Sequence, residues 1–495
     1  MIRMIGGEMP EYAEERLPAG GDLYRHLTGR LPTGIRVLVA GPHDTGLVEA
    51  LARHREVTCL VRSQPDAEKI RVDGVTVLCG TLSQLTDTDR YDAVIALDGT
   101  GRLCSPEESP LDWTASVRVL KRALRPGGTL LLTVENELGV HRLVDPGTPT
   151  ADRAADAWHP LGEFGSAPGR PDRLAAALGA EGLPVAGLAA AWPLPSSASL
   201  LVTPETLRYG PLDALAALAA AAAATAYQGR PVLSDPRRLA AAAVRRGIGA
   251  ELAPAWLAVA QRAPRPGQAV PFAPALVAGP SGAITEIVGA SDGSWLRRAA
   301  HGPAESPGPL PAGRLLEERL LSAALRHDLP ELRRLLTGWM SELPMVAAGN
   351  VLVDGDRYAV LDPAVPELPD ALARLAHTLI TGGYHHPWPG VTDVTRLIAV
   401  LAGASGLTDA PGLIGPPDRH SRREQEGQLE ALRRRLADAE ARAGFFEVEL
   451  EKREAELGRA KTQIAAFSGS LGYRAAKAGL VLARAARNRI TKGRS

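Results

Sequence analysis

The chain has 495 residues, more than one hydrophobic core normally serves, and its 56 basic and 56 acidic residues cancel. This balance, with an aromatic content of 4%, argues against nucleic-acid binding, which needs basic and stacking surfaces. The first residues lack a signal-peptide pattern and the longest apolar stretch, 214–226, is too short for a membrane span, so we expect a cytoplasmic protein.

Residues 1–30 are predicted to be a loose leader with one short helix. From 31 to 205, continuous apolar runs alternate with helical patterns, and the runs are 36–40, 57–61, 75–79, 92–97 and 129–134. Continuous apolar runs are typical of strands that are covered on both faces. Their alternation with helices predicts an α/β fold, with a parallel Rossmann-like sheet and right-handed crossovers. Cys59, Cys79 and Cys104 are isolated and lack metal-ligand spacing, so we expect no metal site among them.

Two further segments precede the C-terminal region. Residues 206–262 are rich in alanine and are predicted to be helical, with a short apolar run at the end. Residues 263–415 are predicted to form a smaller α+β unit, because hairpin patterns at 275–288 and 350–362 flank two helical patterns, 314–326 and 330–340.

The C-terminal region has a seven-residue apolar repeat. We therefore predict a coiled coil over 419–472 that makes the chain a homo-oligomer through 429–471; the alternative is one long helix folded back on the globular part. The a positions are Leu429, Leu436, Ala443, Leu450, Leu457, Ile464 and Leu471, and the d positions are Leu432, Ala439, Phe446, Arg453, Ala460 and Phe467.

The last segment, 473–495, is basic: it contains arginines and lysines, and no acidic residue follows Glu456. Its basic residues interleave with apolar ones, so it is either an amphipathic helix on the inner face of an anionic membrane or a solvated tail.

Three stretches of the first unit resemble class I S-adenosylmethionine-dependent methyltransferases. They are "VLVAGPHDTGLVEALA", "RYDAVIALDGTGRL" and "LKRALRPGGTLLLTVENELG", and the third is similar to a subgroup that acts in bacterial surface-glycan pathways. The resemblance implies S-adenosylmethionine as cofactor and a glycan or glycolipid acceptor. It places Gly41, Asp44, Gly46, Arg62 and Asp98 on the cofactor side, and Glu135, Asn136 and His141 as the catalytic candidates on the acceptor side.

The sequence departs from this family at the cofactor turn. His43 and Thr45 stand where two further glycines would let the backbone approach the cofactor, and Val61 replaces the acid that would bind the ribose. Arg62, which follows, suits a phosphate better than a ribose.

The second unit contains "LPMVAAGNVLVDGDRYAVLD", which resembles the catalytic segment of kinase-like folds. Asn350 and Asp362 match the two magnesium-binding positions, but Met345 replaces the aspartate that orients the nucleophile. The order of parts resembles bifunctional proteins that terminate bacterial O-antigen chains, in which the coiled coil recruits the polymerase.

Two functions remain open from the sequence. The first is a methyltransferase acting on a glycan or glycolipid in cell-surface polysaccharide or glycoside biosynthesis. The second is a catalytically inactive methyltransferase-like scaffold that recruits glycosyltransferases through its coiled coil.

Overall fold

The computed structural model describes residues 2–14, 16–86, 90–105, 111–145, 166–228, 232–263, 273–300, 308–406, 422–469 and 471–492. The chain divides into two compact units, Met1–Pro417 and Asp418–Ser495. The first unit contains a sheet of 13 strands and a separate sheet of three strands.

The first six strands of the large sheet are parallel: β1 (Ile2–Gly6), β2 (Arg36–Ala40), β3 (Glu56–Val61), β4 (Thr76–Gly80), β5 (Tyr91–Ala96) and β6 (Leu124–Glu135). The helices of this part of the chain are α1 (Asp22–Gly29), α2 (Thr45–Ala52), α3 (Gln64–Lys69), α4 (Trp113–Ala123), α5 (Val140–Val144) and α6 (Pro171–Ala180). The five apolar runs form β2 to β6, which confirms the predicted Rossmann-like parallel sheet.

The continuous apolar pattern of these strands follows from burial on both faces of the sheet. In β2, Val37 and Val39 enter one core layer, whereas Leu38 and Ala40 enter the other. Because successive side chains of a strand point to opposite faces, each strand needs apolar residues at every position.

The remaining strands of the large sheet are antiparallel to their neighbours. They are β7 (Val185–Pro193), β8 (Ala198–Val202), β9 (Ala255–Gln261), β10 (Ala275–Ala278), β11 (Ile284–Gly289), β12 (Trp295–Ala299) and β13 (Gly308–Pro309). The complete order is β1-β4-β3-β2-β5-β6-β9-β7-β8-β10-β11-β12-β13.

This order differs from the predicted division of the chain at 205 and 262. Strand β9, from the segment predicted to be helical, lies inside the sheet between β6 and β7. Strands β10 to β13, from the predicted separate α+β unit, continue the same sheet from β8. The rest of 206–262 is helical as predicted, in α7 (Pro204–Tyr209), α8 (Leu212–Ala226) and α9 (Pro236–Arg245).

The leader of residues 1–30 contains the predicted short helix, α1, but its described residues are not loose. Strand β1 pairs with β4 at the edge of the sheet, and α1 places Leu23 and Tyr24 in the core with no exposed surface. The leader is therefore part of the folded unit.

Residues 314–405 surround a second core that includes the buried Trp339. The elements are β14 (Arg314–Leu315), β15 (Val351–Asp354), β16 (Arg357–Val360), α10 (Leu316–Leu325), α11 (Leu329–Glu342), α12 (Ala371–Thr381) and α13 (Val394–Ser405). Both predicted hairpins and both predicted helices are present. Ion pairs Arg237–Glu317 and Arg245–Glu318 join α9 to α10. The kinase-like resemblance of this part stays a prediction.

The second unit consists of two helices, α14 (Arg422–Gly469) and α15 (Leu471–Lys492). The predicted helical character of 419–472 and 473–495 is thus present, and residues 419–421, 470 and 493–495 lie outside the described residues. Among the described helices of both units, none is long and apolar enough to cross a bilayer.

Candidate functional site

The turn after β2 is filled by a histidine side chain. Gly41 has φ 92°, a conformation that favours glycine, and its N–H donates to the carbonyl of Leu60 at 2.9 Å. The buried His43 places Nδ1 2.9 Å from the Gly41 carbonyl, and the Leu97 N–H donates to Nε2 at 3.2 Å. These contacts require a neutral ring with its proton on Nδ1, and burial accordingly lowers the pKa of His43.

An N-terminal strap, residues 9–14 and 16–21, runs along the carboxyl ends of the parallel strands. Beside β3, the Met9 N–H donates to the Arg62 carbonyl at 2.8 Å, and the Ser63 hydroxyl donates to the Tyr12 carbonyl at 2.6 Å. Beside β2, the Ala19 N–H donates to the Pro42 carbonyl at 3.0 Å. In doubly wound sheets, ligands bind at this edge, so the strap lies where a cofactor would be expected.

Arg62, predicted to face the cofactor, is bound to the strap instead. Its Nε donates to Glu14 Oε1 at 2.7 Å and its Nη1 donates to the Cys104 carbonyl at 2.6 Å, with the guanidinium over the Tyr12 ring. The Arg62 and Glu14 side chains are 13% and 5% exposed, so the pair is closed to solvent.

Asp98, the acid after β5, forms a second buried ion pair. The Arg102 guanidinium donates to both of its carboxylate oxygens, with Nε 2.6 Å from Oδ2. Arg102 also donates to the strap carbonyls of Arg16 and Leu17, at 2.9 and 3.1 Å. Burial raises the pKa of Asp98, and the Arg102 charge opposes this effect. Asp98 thus orders the arginine that holds the strap.

Asp44 is used as a helix cap and as a strap contact. Its Oδ1 accepts from the Leu47 N–H at 2.6 Å, which caps α2, and its Oδ2 accepts from the Gly21 N–H at 3.0 Å. A Cβ on Gly20 would lie 1.7 Å from Asp44 Oδ2, so only glycine fits there. Gly46 lies in α2, where an added Cβ would be 3.3 Å from both the Arg25 guanidinium and Asp44.

Glu135 and His141 are brought together at the end of β6. His141 Nε2 lies 3.1 Å from Glu135 Oε1, which also accepts from Arg142 at 2.6 Å, and Arg16 of the strap lies 3.5 Å from Oε2. Burial alone would raise the pKa of Glu135, but the His141 hydrogen bond and the Arg142 and Arg16 charges outweigh it and lower the pKa to about 2. Burial lowers the pKa of His141, whose Nδ1 is buried and has no partner among the described residues.

Asn136, predicted to be on the acceptor side, is a structural residue. It is 2% exposed, and its Nδ2 donates to the carbonyls of Glu251 and Ala253 at 2.6 and 2.8 Å. Its Oδ1 accepts from the Leu138 N–H at 3.1 Å. The side chain therefore anchors the turn after β6 and has no remaining amide hydrogen to offer an acceptor.

Asn350 and Asp362 do not converge on a metal position. The Asn350 amide donates to the Asp362 carbonyl at 2.8 Å and accepts from the Asp362 N–H at 2.9 Å. The Asp362 carboxylate accepts from the Ala364 N–H at 2.9 Å. Within the described residues, no group of three or more histidine, cysteine or acidic side chains could hold a metal ion.

The side chains at the predicted cofactor site do not fit S-adenosylmethionine in this structure. The polar groups of Asp44, Arg62 and Asp98 all have partners within the chain. Val61, at the position expected to carry a ribose-binding acid, is 3% exposed. A cofactor that used these groups would compete with the strap and with these ion pairs.

Sequence reasoning missed the strap and its two principal contacts, Glu14 and Arg102. A signal for the strap was present in Gly20-Gly21, a pair that permits the close passage beside Asp44. Nothing in the local pattern of Glu14 or Arg102 shows that they contact each other's segments, because Glu14 pairs with the distant Arg62, and Arg102, besides its neighbour Asp98, donates to the distant carbonyls of Arg16 and Leu17.

No family model matches the chain, and no curated protein matches it. The structural neighbours are S-adenosylmethionine-dependent methyltransferases and related proteins. The Geobacter sulfurreducens methyltransferase with S-adenosyl-L-homocysteine is 17% identical, with a TM-score of 0.26, over 51% of this chain and 95% of that chain.

Two more neighbours are similarly distant. The [4+2]-cyclase SpnF is 17% identical over 53% of this chain and 88% of its own, with a TM-score of 0.26. The Burkholderia thailandensis 1,6-didemethyltoxoflavin-N1-methyltransferase is 14% identical over 49% and 79%, with a TM-score of 0.24. These scores are low, so the Rossmann-like assignment rests on the strand order, with antiparallel β9 between β6 and β7.

Proposed function

We propose that this chain is a methyltransferase-fold scaffold in cell-surface glycan assembly, and that its N-terminal strap keeps the cofactor cleft closed. The observation that carries the proposal is that the strap runs along the carboxyl ends of the parallel strands and binds the polar groups expected to hold the cofactor. The strap contacts the ends of β2, β3 and β6 and, through Arg102, the acid after β5. A fold can persist without its ligand because its strands and helices depend on burial.

The glycan context is supported by sequence resemblance. The stretch "LKRALRPGGTLLLTVENELG" resembles methyltransferases of surface-glycan pathways, and the parts of the chain follow the order found in O-antigen-terminating proteins. In this role the C-terminal helices recruit a glycosyltransferase, while the basic residues of 473–495 hold the assembly at the inner face of an anionic membrane.

A second candidate function is an active methyltransferase on a glycan or glycolipid acceptor, with a strap that opens. Two observations favour it. Gly41 keeps the positive φ, 92°, of a turn that approaches a ligand. Glu135 also orients His141, as a carboxylate orients a histidine base.

Calorimetric titration of the full chain with S-adenosylmethionine and its demethylated product distinguishes the two functions. The strap variant is Gly20→Ala, because its Cβ would collide with the Asp44 carboxylate and displace the strap. The matched control is Gly29→Ala, since an added Cβ there meets nothing within 4 Å. Circular dichroism checks that each protein remains folded.

The scaffold function predicts no binding heat at millimolar ligand in the wild type, the control or the strap variant. Binding tighter than about 100 μM, or roughly −5.5 kcal/mol, in the wild type would overturn it. Binding by Gly20→Ala alone would favour the second candidate, a methyltransferase closed by its strap.

A further inference from the structure

Helix α14 carries an exposed apolar stripe. The heptad residues Leu436, Leu450 and Leu457 are 59%, 63% and 59% exposed, and Ile464 is 68% exposed. Isolated exposed leucines are common on proteins, but a stripe repeated every seven residues is typical of a helix that packs on another helix.

The charged residues beside this stripe indicate which partner helix it can bind. In a parallel, in-register coiled coil, the residue before each a position faces the residue five positions later on the other helix. Three such pairs have opposite charges: Arg435 with Glu440, Arg442 with Glu447, and Glu456 with Lys461. A second copy of this chain therefore complements α14 in three of the four flanking pairs.

One flanking pair has like charges, Glu449 with Glu454, and it coincides with the one charged residue among the described seam positions, Arg453. In the same helix, the Arg453 guanidinium already lies 3.3 Å from Glu456 and 3.8 Å from Glu449. A cation in this layer offsets the repulsion of the two acids, and a polar residue in a seam is a known determinant of register.

We propose that α14 pairs with a second copy of this chain, parallel and in register, and that Arg453 fixes the register. An antiparallel pair that matches Arg442 with Glu449 has as many opposite-charge pairs, but it would place Ile464 opposite Gln425 in the seam, whereas the parallel pair places each apolar seam residue against its own copy. The pairing rests on the proposed scaffold function and names a partner for it. Because it involves no cofactor, it can be tested independently of S-adenosylmethionine binding.

Cysteine cross-linking of the full chain tests the orientation. Ala443→Cys and Leu457→Cys are placed separately at a positions, and the matched control Thr462→Cys lies on the outer face of the helix. The native Cys59 and Cys79 are buried, and Cys104 is replaced by alanine in every variant. A parallel, in-register pair brings each seam cysteine beside its own copy, so we expect both to form disulfide-linked dimers about tenfold faster than the control.

Sedimentation equilibrium tests the pairing and the role of Arg453. We expect a dimer that Arg453→Glu weakens by about tenfold or more, since it concentrates acids in one layer, whereas Arg459→Glu on the outer face changes it little. A wild type that is monomeric at a concentration about 100 times lower than that used for cross-linking shows only that this concentration is below the dissociation constant of the dimer. The measurement therefore extends to about 100 μM. A monomer there, cross-linking at one seam position only, or an unaffected Arg453→Glu dimer would overturn the proposal. None of these results depends on the calorimetric titration with S-adenosylmethionine.

Discussion

Replacement of Asp98 by asparagine tests whether one carboxylate stabilises the buried Arg102 and, through it, the strap. The two side chains are 8% and 9% exposed. Removal of one partner from a buried ion pair generally costs about 3–5 kcal/mol, because the other charge stays buried without compensation. Arg102 keeps the carbonyls of Arg16 and Leu17 and the Glu14 carboxylate 3.8 Å away, so we expect the lower end, about 3 kcal/mol.

Urea unfolding followed by circular dichroism measures this loss at pH 7. The matched control is Asp356→Asn, which removes the acid of a surface pair with Arg334. Asp356 is 90% exposed, and we expect a change within about 0.5 kcal/mol.

A double variant separates charge compensation from simple loss of packing. Asp98→Leu with Arg102→Leu removes both charges, so it should unfold at higher urea than Asp98→Asn. An Asp98→Asn protein within about 0.5 kcal/mol of the wild type would refute the reasoning. A double variant as unstable as the sum of its two single changes would also refute it, because the charges would then be uncoupled.

Three other variants have defined outcomes in the same unfolding assay. Glu135→Gln should destabilise the chain by about 3 kcal/mol near neutral pH. The difference from the wild type should shrink as the pH falls from about 5 towards 2, because a carboxylate whose pKa is lowered in the folded state stabilises the fold only while it is ionised. A difference that does not depend on pH would contradict this. His43→Leu should flatten the loss of stability below about pH 6.5, since a buried neutral histidine takes up its proton on unfolding. An unchanged pH profile would count against a neutral ring in the folded state. Asn350→Ala should lower the free energy of unfolding by about 1–3 kcal/mol, because it leaves the Asp362 backbone groups unpaired. Added Mg²⁺ should change the urea midpoint of neither the wild type nor this variant. A higher midpoint with Mg²⁺ in the wild type alone would support magnesium binding by Asn350 and Asp362.

Much of the fold was predictable because it is encoded locally. The runs that became β2 to β6 are apolar at nearly every position, and burial on both sheet faces requires that pattern. Polar residues such as Asp44 and Asp112 precede helices and cap them, which is again a contact within a few residues.

The candidate site was predictable only in part. Sequence spacing located Glu135 and His141 six residues apart, and the structure places them in contact. The same reasoning assigned Asn136 to an acceptor, whereas its amide is taken by backbone carbonyls more than 100 residues later in the chain. A polar residue at a strand end has the same appearance in sequence whether it faces a ligand or anchors a loop.

The sequence by itself determined the buried parallel strands β2 to β6, most of the helices, and which helix face repeats every seven residues, since those properties depend on neighbours along the chain. Only the tertiary structure decided that β9 lies between β6 and β7, and that Glu14 and Arg102 close the edge where a cofactor would bind. Those outcomes depend on pairings between distant segments, because the free energy of burying a charge is set by the partner that the fold supplies.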